Sequence, residues 1–145
     1  MIERLVRKLR AAADRRLPQH LRDARRGEDL AYDRLRQEGY RVVARNYRPR
    51  TGRGEIDFLG WDGEFLACGE VKTRRTAAHG RPEEFVDREK RKHLIRTAHE
   101  YVRRSKADPA SLRFDIVSVT LEPEPRVELL RNVFSELRGQ EGRRV

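Results

Sequence analysis

Five side chains in this chain of 145 residues have the types and spacing for chemistry on phosphates. Four lie in one stretch, "GEIDFLGWDGEFLACGEVK", from Gly54 to Lys72: Glu55, Asp57, Glu70 and Lys72. The fifth, Glu28, lies upstream. The stretch otherwise reads as β-structure, and carboxylates at the end of an apolar hairpin need a cationic partner. Oxygen ligands in small number, with waters completing the shell, suit Mg²⁺ or Mn²⁺ rather than zinc. A metal held by Asp57 and Glu70 would activate a water and stabilise charge on a phosphate. Lys72, two residues on from Glu70, would orient that water or neutralise the developing charge.

The hairpin must bring these groups together. With Asp62-Gly63 as the two loop residues, Trp61 pairs with Glu64, Asp57 lies opposite Cys68, and Glu55 lies opposite Glu70. Side chains alternate across a strand. One face then carries Glu55, Asp57, Leu59 and Trp61 with Glu64, Leu66, Cys68, Glu70 and Lys72. The other carries Ile56, Phe58, Phe65, Ala67 and Val71. Asp57 and Glu70 become diagonal neighbours, backbones roughly 7–8 Å apart. Glu55 directly opposite Glu70 is a like-charge conflict, which Lys72 resolves in part and a divalent metal more fully. On the preceding helix Glu28 shares a stripe with Ala24, Ala31 and Leu35, so an acid points inward where Leu is expected.

Around the hairpin the chain reads as α-β-β-β-α-β, a mixed α/β sheet flanked by helices. A helix runs from about residue 20 to Glu38, with Gly39 as its C-terminal cap. "YRVVARNY" (Tyr40–Tyr47) is a strand, and "RPRTGRG" a basic loop. Strands follow at Glu55–Trp61 and Glu64–Lys72. A long helix covers about Pro82 to Arg104, with Leu94, Ala98, Tyr101 and Val102 on one face. Arg113–Glu122 is a strand, and Arg126–Phe134 a strand or short helix. The domain spans residues 20–137, between a basic extension (1–19) and a frayed tail (138–145).

Composition limits the class. Hydrophobic residues make up 37% and charged residues 40%, so one small core carries a heavily charged surface. The net charge of +10 favours a polyanionic partner, nucleic acid or an anionic membrane surface. Residues 1–26 hold nine Arg and Lys against Glu3, Asp14 and Asp23. Within this arm Ile2, Leu5, Val6 and Leu9 recur at helical spacing. It reads either as a loosely attached, partly helical extension or as a contact for nucleic acid or phospholipid. A single cysteine, Cys68, excludes an internal disulfide. The four histidines (His20, His79, His93, His99) have no zinc-binding spacing. No apolar run approaches the roughly 20 residues of a membrane-spanning helix, and no signal-peptide core follows Met1. The expected location is cytoplasmic.

"GEID" followed by "GEVK" resembles the D…ExK core of the PD-(D/E)XK, or restriction-endonuclease-like, nuclease superfamily. The wider pattern is similar to the YraN family of bacterial proteins. The runs that carry it are "RRGEDLAYDRLRQEGYRVVARNYR", "GEIDFLGWDGEFLACGEVKTR", "GRPEEFVDREK", "AHEYV" and "RFDIVSV", covering roughly Arg25 to Thr120. The resemblance implies a restriction-endonuclease-like core and a metal-dependent nuclease, acting on DNA, including branched or junction DNA. It implies Asp57 and Glu70 as metal ligands, Lys72 as the catalytic lysine and Glu28 as a helix-borne catalytic acid. Ile56 stands where the superfamily's name has proline. "ACG" at Ala67–Gly69 replaces bulky aliphatics, and Gly69 weakens a strand.

Several assignments stay open at this level. Glu55 is either a further acid of the metal site or a surface acid. Arg48, Arg50, Arg53 and Arg74 flank the site and would follow a nucleic-acid backbone. Lys90, on the second long helix, is a phosphate contact or part of a solvated face. Cys68 and Trp61 read as packing. A homodimer is expected from resolvase-like relatives. The alternative function is a basic nucleic-acid-binding protein that keeps the fold without turnover.

Overall fold

The computed structural model describes residues 1–50, 52, 54–78 and 88–134. Helix α1 runs over Ile2–Asp14 and α2 over Gln19–Gln37. Strands β1 (Arg41–Tyr47), β2 (Ile56–Asp62) and β3 (Phe65–Arg74) follow, then α3 (Arg88–Ser105), β4 (Leu112–Thr120) and β5 (Arg126–Phe134). The expected order is present and extended at both ends, by α1 and by β5, which is a strand and not a helix. The expected start of α3 at Pro82, the residue Arg53 and the tail 138–145 lie outside the described residues.

The end of α2 shows how local chemistry sets the path into the sheet. Gly39 takes φ +87°, a conformation that costs glycine little. Its N–H donates to the Arg36 carbonyl, and the Tyr40 N–H to the Leu35 carbonyl, which closes the helix by satisfying its last carbonyls.

The five strands lie in the order β1-β2-β3-β4-β5. Neighbours pair antiparallel except β3 and β4, which are parallel with Leu66 beside Leu112 and Arg74 beside Thr120. A parallel pair requires a crossover, and α3 supplies it. On one face of the sheet Leu94, Ala98 and Val102 of α3 pack on Leu59, Leu66, Cys68, Phe114 and Ile116. On the other, Ala31, Tyr32 and Leu35 of α2 pack on Phe58, Ala67, Val117 and Val119. Helix, sheet and helix form three layers, and β3 is the middle strand of five.

The hairpin register departs from expectation. Asp62 pairs with Phe65, Trp61 with Leu66 and Leu59 with Cys68, so the loop residues are Gly63 and Glu64. Gly63 has φ +59°, which fits a tight loop with glycine first. The displacement is two residues, so within the ladder from Phe58 to Asp62 the parity is kept while the partners change. The ladder ends at Phe58 beside Gly69, one step short of Asp57. Glu55 falls beyond the ladder and does not oppose Glu70.

Three packing expectations are also corrected. Ile56 joins the cluster under α3, because it pairs with Tyr47 of β1, which packs there, and Asn46 beside that pair has φ +51°. Phe65 is exposed at the hairpin tip, with the Arg113 guanidinium 5.1 Å from its ring centroid. Ala24 is exposed, and the buried α2 residue at that end is Gly27. A Cβ on Gly27 would overlap the Thr73 side chain, 1.8 Å from its Oγ1. Gly69 does not merely weaken β3: a Cβ there would sit 2.3 Å from the Phe58 ring and 2.2 Å from the Asp115 carbonyl oxygen. The missing side chain is what lets the Phe58 ring lie across β3.

Candidate active site

Where β2 begins and β3 nears its end, a cleft of about 370 Å³ opens against α3. Glu55, Asp57, Glu70, Lys72, Lys90 and His93 line it, with Gly54, Val71 and Leu94. The alternation of β3 aims Glu70 and Lys72 to one side. Lys90 and His93, three residues apart on α3, present side chains to the same place.

Asp57 is anchored from two directions. Its Oδ2 accepts the Val71 N–H at 2.8 Å, and the Tyr32 hydroxyl donates to its backbone carbonyl at 2.7 Å. Burial pushes its carboxyl up to about 6, against the lowering effect of the Val71 bond, and the charges of Glu70, Glu28 and Glu55 add to the rise. Asp57 is thus an acid short of positive charge.

Glu70 is 6% exposed. Its Oε1 lies 2.8 Å from Lys90 Nζ, and its Oε2 3.6 Å from Lys72 Nζ. Oε2 is buried and has no hydrogen-bond partner among the described residues. Burial and the neighbouring Lys90 hold the Lys72 ammonium below the ordinary lysine range. Burial also opposes the charge on Lys90, but its bonds to Glu70 and Lys72 outweigh that and raise it. Of the two lysines, Lys72 is the readier to give up a proton.

These groups fit a hard divalent cation through two carboxylates. Glu70 offers a buried oxygen that, among the described residues, accepts no hydrogen bond, and Asp57 carries a charge its surroundings leave uncompensated. Mg²⁺ and Mn²⁺ bind through one or two carboxylates and keep several waters. Among the described residues no three of His, Cys, Asp or Glu stand together as a ready cage.

Glu28 is half-buried, and the cleft lining does not include it. Burial raises its carboxyl, Arg45 pulls it down, and Glu55 pushes it up again. It reaches the site through its field on Asp57. Glu55 turns to Arg48, 3.5 Å away. Arg48 and Arg50 are exposed on the loop after β1, and the Arg50 backbone N–H donates to Glu100 at 3.1 Å. Arg74 closes β3, two residues beyond Lys72. The Lys90 ammonium lies on Glu70, 2.8 Å away, while its side chain stays 39% exposed.

Two contributors escape sequence reasoning. Tyr32 reads only as a core aromatic of α2. His93 has no partner histidine in the sequence, and its one signal is the spacing of three from Lys90. A second buried polar cluster lies elsewhere on the sheet. Asp115, 1% exposed, accepts from Tyr40 Oη at 2.7 Å, from Arg113 at 2.9 and 2.8 Å, and from the Asn132 N–H at 2.9 Å. Arg113 and Arg131 also hold Asp62 beside the hairpin turn. Every Asp115 oxygen is satisfied, which is the signature of a structural knot.

Fold and site together define a three-layer α/β domain with an Asp–Glu pair and two lysines gathered beside its central strand. The chain belongs to the uncharacterised protein family UPF0102, the YraN family, whose model matches residues 27–119. A UPF0102 protein of Solibacter usitatus is 49% identical over 134 residues, 92% of this chain and the full length of that protein. One of Koribacter versatilis is 45% identical, with 81% of this chain and 82% of the relative covered. One of Symbiobacterium thermophilum is 42% identical, covering 74% and 92%.

Proposed function

We propose that this chain is a metal-dependent nuclease that hydrolyses phosphodiester bonds in DNA. The observation that carries the reading is the buried Glu70 Oε2, without a hydrogen-bond partner among the described residues and beside the raised pKa of Asp57. A purely structural pair would be satisfied by donors, as Asp115 is. In this reading Asp57 and Glu70 hold Mg²⁺ or Mn²⁺. Such an ion, when bound, supplies Lewis-acid stabilisation of a phosphate and an acidified water. Lys72 stands beside Glu70 with a depressed ammonium, poised to orient a water or to meet charge on the phosphate. Tyr32 and the Val71 N–H keep Asp57 from turning away. Arg48 and Arg50, on the neighbouring loop, follow the substrate backbone.

The reading of a nucleic-acid binder without turnover has one observation in its favour: the Lys90 ammonium already neutralises Glu70 at 2.8 Å. Cleavage and binding separate the two. Labelled linear, flapped and junction DNAs are incubated with Mg²⁺ and with Mn²⁺, and affinity is measured in parallel. Asp57→Ala and Glu70→Ala should abolish cleavage and keep or raise affinity, since removing acids near phosphates relieves repulsion. Equal residual cleavage by wild type and Glu70→Ala across the whole panel would leave only the binder.

A further inference from the structure

A surface helix ordinarily turns its apolar stripe inward and its charges out. Helix α1 leaves its apolar stripe largely uncovered, although Ile2 and Val6 also border the groove against α2. Ile2, Leu5, Val6 and Leu9 follow at the spacing of one helix face and are 79, 58, 51 and 62% exposed, with Met1 beyond them. No residue of the helix is buried. Charge attaches it instead. Arg7 lies 3.4 Å from Asp33 and Arg10 3.8 Å from Asp29, and Asp14 pairs with Arg25. All three pairs reach α2, so the polar flank of α1 faces the domain.

Arg4, Lys8, Arg15 and Arg16 are exposed as well. On the helix wheel Arg4 and Lys8 stand away from the flank that pairs with α2. The family match begins at Gly27, so α1 precedes the segment that carries the cleft. Nucleic acid would use the arginines and gain nothing from the stripe. A protein groove would use the stripe without needing charge of one sign. An anionic bilayer surface uses both.

We propose that α1 is an interfacial helix that docks the chain on an anionic lipid surface. Ile2, Leu5, Val6 and Leu9 enter the boundary between headgroups and acyl chains, and Arg4, Lys8, Arg15 and Arg16 lie among the lipid phosphates. The inference stands apart from the chemistry of the cleft.

The test is co-sedimentation of the full chain with vesicles of phosphatidylcholine alone and of phosphatidylcholine mixed with phosphatidylglycerol. Wild type should pellet with the mixed vesicles and not with the neutral ones, less so as salt rises. Leu5→Glu with Leu9→Glu should weaken that binding about tenfold or more, and Arg4→Glu with Lys8→Glu several-fold. None of these residues is buried, so both double variants should keep the wild-type melting transition. Wild type that stays in the supernatant with anionic vesicles overturns the proposal. So does a Leu5→Glu/Leu9→Glu variant that pellets as well as wild type, since charge alone is then at work. Light scattering that shows a dimer broken by Leu5→Glu/Leu9→Glu, without vesicle binding, would assign the stripe to a second copy. Loss of duplex affinity in Arg4→Glu/Lys8→Glu, without vesicle binding, would assign the arm to nucleic acid.

Discussion

Lys90 Nζ lies 2.8 Å from Glu70 Oε1, an ammonium from α3 set on a carboxylate from β3. A divalent cation drawn to Glu70 has this internal charge to contend with. Lys90→Met should therefore bind Mn²⁺ about tenfold more tightly by calorimetry, the scale of removing one partly screened competing charge. Lys90 is 39% exposed, so with chelator present the same variant should lose only about 1 kcal/mol of stability, and saturating Mn²⁺ should restore it. Unchanged Mn²⁺ affinity would remove Lys90 from any contest with metal.

Asp57 makes the metal-free protein sensitive to pH. Its folded pKa of about 6 stands above the ordinary aspartate value of 3.8, so between the two the native state holds more protons than the unfolded chain. Stability from this group is present below about 4 and is lost as pH rises through 6, a cost of about 2–3 kcal/mol at neutrality. Asp57→Asn in chelator should melt higher than wild type at pH 7.5, the gap closing by pH 4. Added Mn²⁺ should raise the wild-type melting point and leave the variant unmoved.

Lys72 and Glu28 should separate in degree. Lys72 touches the cleft, and Lys72→Ala should keep Mn²⁺ binding while losing about 2–4 kcal/mol of transition-state stabilisation, seen as kcat/KM on a cleaved DNA. Glu28 acts on Asp57 from outside the lining. Glu28→Gln should cost less rate and should lower the pH at which Asp57 titrates, read from the melting profile. A Glu28→Gln defect as deep as that of Lys72→Ala would make Glu28 a ligand.

Gly69 is a packing requirement. Gly69→Ala, with a Cβ 2.3 Å from the Phe58 ring, should cost about 1–3 kcal/mol by denaturant unfolding. Phe58→Leu should recover part of that in the double variant, since the two residues are in contact. Full additivity would place the strain on the Asp115 carbonyl instead.

Much of this site is legible from alternation alone. The period of a strand puts Asp57, Glu70 and Lys72 on one face whichever two residues make the turn, because moving a two-residue loop by one shifts the register by two and keeps parity. The local rule favours Asp62-Gly63 as the loop. Asp62 is held in the strand by Arg113 and Arg131, residues distant in sequence that no local rule can supply. The helical stripe that singles out Glu28 begins at Ala24, which is exposed. The acid is in the right neighbourhood, but it is not turned into the cleft. Lys90 is the clearest gap. Its partner lies twenty residues back across a crossover, and only the docking of α3 joins them.

The parallel pairing of β3 with β4 also orders events in time. Asp57 and Glu70 belong to a hairpin closed by two residues, a contact available as soon as that stretch leaves the ribosome. Lys90 meets Glu70 only once α3 has packed and Leu66 has found Leu112, the long-range and slower step of the fold. A nascent chain therefore gathers its hairpin groups first and receives the Lys90 ammonium later. Until then Lys72, carried on β3 itself, is the ammonium at hand for Glu70.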